Sequence, residues 1–120
     1  MKISHEGDTI YICIKGDISF NNAQEIRQTI LDNIQGTDKT AVVNLSEVDF
    51  MDSSGLSIFI TLLKRVKEQG GTLILEYPQL GVQRFLEMTR LDELMEIRKA
   101  EEQKTGKWPE VNKGWPEAKK

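Results

Sequence analysis

Apolar residues along this chain fall into short runs with a period of two, separated by longer stretches with a helical period. Ile10, Ile12 and Ile14 alternate with Tyr11, Cys13 and Lys15, the pattern of a strand with one core-directed face. Residues 2–5 precede it across Glu6-Gly7-Asp8, where Gly7 supplies turn freedom, so an antiparallel hairpin is predicted. Gly16-Asp17-Ile18-Ser19 breaks the second strand. Asn21 stands at a helix N-cap position with Gln24 three residues on, in the manner of a capping box. Ala23, Ile26, Ile30 and Ile34 then recur at helical spacing beside Leu31, and Gly36 is placed to stop that helix.

Ala41, Val42, Val43 and Leu45 form a nearly continuous apolar run, which suits a central strand covered on both faces. Residues 46–52 follow as a loop that Val48, Phe50 and Met51 are expected to pin to the core. A second helix is predicted from about Ser53 to Glu68, stopped by Gly70-Gly71. Thr72 to Glu76 reads as a strand and about Gln79 to Met88 as a third helix. Leu91, Leu94 and Ile97 are expected to close the domain with a short strand or turn. This order predicts an α/β fold: one domain over residues 1–98, with a mixed, mainly parallel sheet, an N-terminal antiparallel hairpin and right-handed crossover helices.

From Lys99 the chain turns polar, and Trp-Pro-Glu occurs twice, at 108–110 and 115–117. Residues 99–120 are read as a flexible C-terminal tail. The alternative is a docking segment anchored by Trp108 and Trp115.

Composition narrows the function classes. A length of 120 residues suits one domain. The net charge of −3 leaves no basic excess to neutralise phosphates, so nucleic-acid binding is not expected. Cys13 is the single cysteine and His5 the single histidine, which rules out an internal disulfide and leaves too few ligands for a zinc site. No cofactor is implied. No apolar run reaches the roughly 18 residues of a membrane span, and a signal-peptide core is absent, so a cytoplasmic protein is expected.

The candidate chemistry lies where the apolar run of 41–45 gives way to the second helix. Asp52-Ser53-Ser54-Gly55 puts two hydroxyls in the first helical turn, where backbone N–H groups and the helix dipole favour an anion. On a wheel of about 100° per residue, Leu56, Phe59, Leu63 and Val66 mark the core side. Ser54 then points away from it and Ser53 falls closer to it. Ile58 and Leu62 share the outward line of Ser54, with Ser57 and Thr61 alongside. Ser54 is thus a candidate site for phosphorylation, and Ser54, Ser57, Ile58, Thr61 and Leu62 a candidate partner surface. Gly55 leaves room for close approach by another backbone. The same residues also make an ordinary cap with Asp52 as acceptor, and periodicity does not separate the two readings. A serine hydrolase is not supported, because G-x-S-x-G is absent and His5 lies in the first strand.

The stretch V-V-N-L-S-E-V-D-F-M-D-S-S-G-L-S-I-F-I, residues 42–60, resembles the core motif of the STAS domain, in particular the bacterial anti-sigma factor antagonists. Lys15-Gly16-Asp17-Ile18, the Gly70-Gly71 pair and residues 82–91 agree with it, so the likeness covers about residues 2–98. The resemblance implies a binding protein, not an enzyme. Its partners would be an anti-sigma factor that is also a serine kinase and a resetting PP2C-type phosphatase. It places the phosphate on Ser54, in an environment of Asp17, Asp52, Ser53 and Gly55. Asp17 is shorter than the glutamate often found at its position. The protein is expected to be a monomer or weak dimer. The alternative is a constitutive STAS scaffold or transport-complex subunit in which Ser54 only caps the helix.

Overall fold

Strands form where apolar residues alternate, and their register shows why. In the computed structural model, which describes residues 1–99, β1 (Lys2–Glu6) pairs antiparallel with β2 (Thr9–Lys15). β3 (Thr40–Glu47), β4 (Thr72–Glu76) and β5 (Glu96–Arg98) add in parallel, in the order β1-β2-β3-β4-β5. Ile10 and Ile12 stand beside Ala41 and Val43, and these beside Leu73 and Leu75. All six are fully buried, so one face of the sheet is a continuous aliphatic layer.

Three helices connect the parallel strands: α1 (Ala23–Asn33), α2 (Ser53–Glu68) and α3 (Leu80–Met88). A 3-10 turn, Leu91–Glu93, precedes β5. Each parallel crossover moves one strand further in the same direction. With right-handed crossovers, all three helices therefore lie on the same face, the aliphatic one. Ala23, Ile26 and Ile30 of α1, Ile58, Phe59, Leu62 and Val66 of α2, and Val82 and Leu86 of α3 join that core.

The opposite face carries Tyr11, Val42 and Ile74 in one row, then Cys13, Asn44, Glu76 and Arg98 in the next. Glu76 is fully buried and pairs with Arg98 at 3.4 Å. Burial pushes the Tyr11 phenol above its ordinary value, and the charges of Glu6 and Glu76 push the same way.

Both predicted hairpin strands, the three crossover helices and β4 stand where periodicity placed them, with α3 starting one residue later, at Leu80. Three local readings are corrected. The residue flanking α1 is Asn22, not Asn21, and its side chain ties the preceding turn instead of capping. Its Oδ1 accepts from the Ser19 N–H at 2.9 Å and its Nδ2 donates to the Asp17 carbonyl at 2.8 Å. Gly36 does not stop α1. The helix ends as Ile34 turns extended, and Asp38, fully buried, closes the next turn by accepting the Gln35 N–H at 2.7 Å. Phe50 does not pin the loop. Val48 and Met51 are buried, whereas Phe50 is 54% exposed. The tail reading for 100–120 lies outside the described residues.

Candidate functional site

Beyond the sheet, the segments leaving β2 and β3 continue side by side. The Gly16 N–H donates to the Glu47 carbonyl at 2.8 Å, Ile18 to Phe50 at 2.9 Å, and Asp52 to Ile18 at 3.1 Å. Ile18 and Met51 thus form an isolated parallel bridge. This pairing brings residues 17–20 against the start of α2 at the C-terminal ends of β2 and β3, where open α/β sheets usually present their functional surface.

Asp52 joins the two segments. It is the N-cap of α2, in extended conformation, and its Oδ1 accepts the Ser54 N–H at 2.8 Å. Its Oδ2 accepts the Phe20 N–H at 3.1 Å. The Ser54 N–H is the largest cause that holds the Asp52 carboxyl below the ordinary carboxylate value, with the Phe20 N–H and the Ser54 hydroxyl adding to it. A carboxyl lowered on folding contributes stability above the ordinary carboxylate range and loses it as pH falls through the folded value. Asp52→Asn is therefore expected to unfold at lower denaturant than the parent at neutral pH. The gap should close on acidification, measured by urea titration at neutral pH and near pH 2. A gap independent of pH would contradict this role for the charge.

Ser54 is half-buried and Ser53 exposed, the reverse of the wheel. Ile58 and Leu62 are 1% exposed and belong to the core, so neither is available to a partner. The buried stripe of α2 is Gly55, Ile58, Phe59, Leu62 and Val66, with Leu56 and Leu63 only half-buried. The helix is apolar nearly all round, and its packing against α1 as well as the sheet rotates the stripe toward Gly55. Ser54 borders that stripe, and Ser53 lies nearly opposite it.

Gly55 also changes role. A Cβ there would overlap the Met51 side chain and stand 3.3 Å from Ile18 Cγ2. The glycine therefore seats α2 on the paired loop instead of admitting a partner's backbone. Gly55→Ala is expected to cost about 1–3 kcal/mol through overpacking against buried Met51, read as a fall in the urea midpoint with the slope unchanged. A neutral result would mean that Met51 repacks freely.

The accessible surface around Ser54 is consequently different from the expected one. Ser57 is exposed, donates to the Ser54 carbonyl at 3.0 Å and accepts from Arg27 at 3.5 Å. Thr61 is half-buried between α1 and α2. Asp17 is exposed beside the Ile18 bridge. Phe20 is 83% exposed, and its own N–H is the group bound to Asp52 Oδ2. With Phe50 it gives the site two exposed aromatics that periodicity missed. The signal was a phenylalanine in each polar loop, at 20 and at 50, with no helical or strand phase to bury it. Among the described residues, no group of three His, Cys, Asp or Glu side chains could hold a metal ion. No helix there is long and apolar enough to cross a membrane.

Residues 1–104 match the STAS domain. The chain belongs to the STAS domain family. Among curated STAS relatives, the anti-sigma-B factor antagonist of Bacillus subtilis is 31% identical over 96 residues, 79% of this chain and 86% of that protein. The solved fold of an anti-sigma factor antagonist from Mycobacterium paratuberculosis superposes with a TM-score of 0.73 at 19% identity, over 87% of this chain and 89% of that one. The Bacillus cell fate determinant SpoIIAA in its phosphorylated form gives 0.64 at 24% identity, over 84% and 93%.

Proposed function

We propose that this STAS domain is a phosphorylation-switched binding module of the anti-sigma factor antagonist type. Unphosphorylated, it binds an anti-sigma factor that is also a serine kinase and so frees that protein's target. Phosphorylation of Ser54 ends the binding, and a PP2C-type phosphatase restores it. What carries the reading is the position of Ser54, with its N–H and hydroxyl on the Asp52 carboxylate and exposed Phe20 and Phe50 on the adjoining loops. A phosphoryl group there adds about −1.5 to −2 charges beside an existing anion and within a partly apolar surface. The resemblance of the chain to an anti-sigma-B factor antagonist and to SpoIIAA, solved in unphosphorylated and phosphorylated forms, supports the same reading.

A second reading is that Ser54 is only part of the cap, on a STAS module that binds its partner constitutively. The half-burial of Ser54 and its bond to Asp52 favour it. Incubation with the cognate kinase and ATP, followed by mass spectrometry, separates the two. The switch predicts one phosphate on the parent chain and none on Ser54→Ala. Full phosphorylation of Ser54→Ala, or none on either chain, would overturn it.

A further inference from the structure

Among the described residues, β1 stands at one edge of the sheet, and the backbone groups on its outer side can be assigned. The Asp8 carbonyl accepts the Thr40 N–H of β3 at 3.2 Å. Backbone groups alternate sides along a strand, so Ile10 and Ile12 also bond toward β3. Thr9, Tyr11 and Cys13 then bond toward β1, where they face Glu6, Ser4 and Lys2. Ile3 and His5 are left with N–H and C=O groups directed out of the sheet. Such an edge is a template for another strand. It is also held in shape from behind. His5 Nε2 lies 3.2 Å from Asp38 Oδ2 and 3.1 Å from the Asn33 carbonyl, and half-buried Ile3 packs against the core.

The sequence of β1, Lys-Ile-Ser-His-Glu, is complementary to itself. In an antiparallel pairing of two copies centred on Ser4, Ile3 faces His5 of the second copy, and the two exchange both N–H···O bonds. Lys2 faces Glu6 of the second copy in the closer, non-hydrogen-bonded type of pair, and the twofold axis repeats the contact. Both charged residues are exposed. They stand about 13 Å apart along one strand, so they cannot pair within a chain. Centring the pairing on Ile3 or His5 loses both charge pairs. The other edge strand, β5, has three residues, and its Glu96 and Arg98 already pair with each other at 2.8 Å.

We propose that the partner of this edge is a second copy of the chain, joined β1 to β1 antiparallel about Ser4. The sheet then runs unbroken through both copies, with the helices of both on the same face. A single strand pair is a small interface, so the dimer is weak, with Kd on the order of 0.1 mM. It does not depend on the Ser54 reading.

Charge reversal tests it. Sedimentation equilibrium of the parent chain over a concentration series should show a reversible monomer–dimer transition that weakens with salt. Glu6→Lys and Lys2→Glu should each raise Kd at least about tenfold, because two opposite-charge pairs become like-charge pairs. Both positions are exposed, so the circular dichroism spectrum should not change. An equimolar mixture of the two variants should dimerise again, as should the double variant Lys2→Glu/Glu6→Lys, since each restores lysine opposite glutamate across the axis. Ser4→Cys in a Cys13→Ser background should oxidise to a disulfide-linked dimer, the opposed Cα atoms being about 4.5 Å apart. Glu6→Cys in the same background should not. A parent chain that stays monomeric at about 1 mM would overturn the proposal. So would self-association indifferent to either single reversal, a mixture and double variant as weak as the single ones, or equal cross-linking through positions 4 and 6.

Discussion

If the proposed switch operates, Ser54→Asp is expected to lower affinity for the proposed anti-sigma factor partner by about 100-fold or more while Ser54→Ala stays within a few-fold of the parent. The argument runs through Asp52. One carboxylate already occupies the N-terminus of α2 and holds both the Ser54 and the Phe20 N–H groups. A second anion at Ser54 gains from the helix dipole, typically 0.3–1 kcal/mol, but repels Asp52 at short range, so the fold itself should change little in stability. The partner surface changes far more. Burying an unpaired charge at an interface costs several kcal/mol, and 1.4 kcal/mol is already tenfold in affinity. A real phosphate, with more charge than aspartate, should act more strongly. Repulsion also weakens the Asp52 hold on Phe20, so faster hydrogen exchange at the Phe20 amide is expected in the phosphorylated protein. Calorimetric titration with the partner checks the first outcome. Equal affinities for Ser54→Asp and Ser54→Ala would remove charge as the basis of the switch.

Gly71→Ala should be the most destabilising of the glycine substitutions. A Cβ at Gly71 would overlap the backbone carbonyl of Lys39. That carbonyl cannot move aside cheaply, because it accepts the Thr72 N–H at 2.8 Å at the start of β4. The same loop is tied by the Gln69 Nε2 to the Asp38 carbonyl at 2.7 Å and by the Lys39 ammonium to the Gln69 carbonyl at 2.6 Å. Relief therefore requires backbone displacement, at a cost of about 3 kcal/mol or more, or a fall in Tm of roughly 10–20 °C for a domain of this size. Gly70 is the instructive control. It holds the left-handed position, φ 79°, of a Schellman stop in which the Gly71 N–H reaches the Val66 carbonyl at 2.7 Å. Alanine there meets only backbone strain of about 1–2 kcal/mol. Thermal melts of both variants should rank Gly71→Ala well below Gly70→Ala. The reverse order would show that conformation, not the approach of Lys39, governs this turn.

The two glycines separate what a local pattern encodes from what packing adds. Gly70-Gly71 was recognisable as a helix stop because the rule is local: it depends on the residues of one turn and the carbonyls just before it. That the second glycine is needed by a loop some 30 residues away, through Lys39, is a property of packing and leaves no local trace. Asn21 and Gly36 failed for the complementary reason. Both have the right residue type for a cap, but the Ser19 and Asp38 turns satisfied the backbone by other bonds.

The strand and helix order, the parallel sheet and the junction Asp52-Ser53-Ser54-Gly55 were determined by the sequence alone, because alternation, helical period and capping chemistry act over a few residues. Only the tertiary structure decided which side of α2 is inside. Its apolar residues surround the axis, so hydrophobicity could not choose between Leu56 and Ile58. Contact with α1 and the sheet buried Ile58 and Leu62 and left Ser54 at the border. The same long-range pairing, Ile18 with Met51, made Asp52 a tie between two loops and left Phe20 and Phe50 exposed beside it. Those contacts join residues more than 30 positions apart, and no local pattern encodes them.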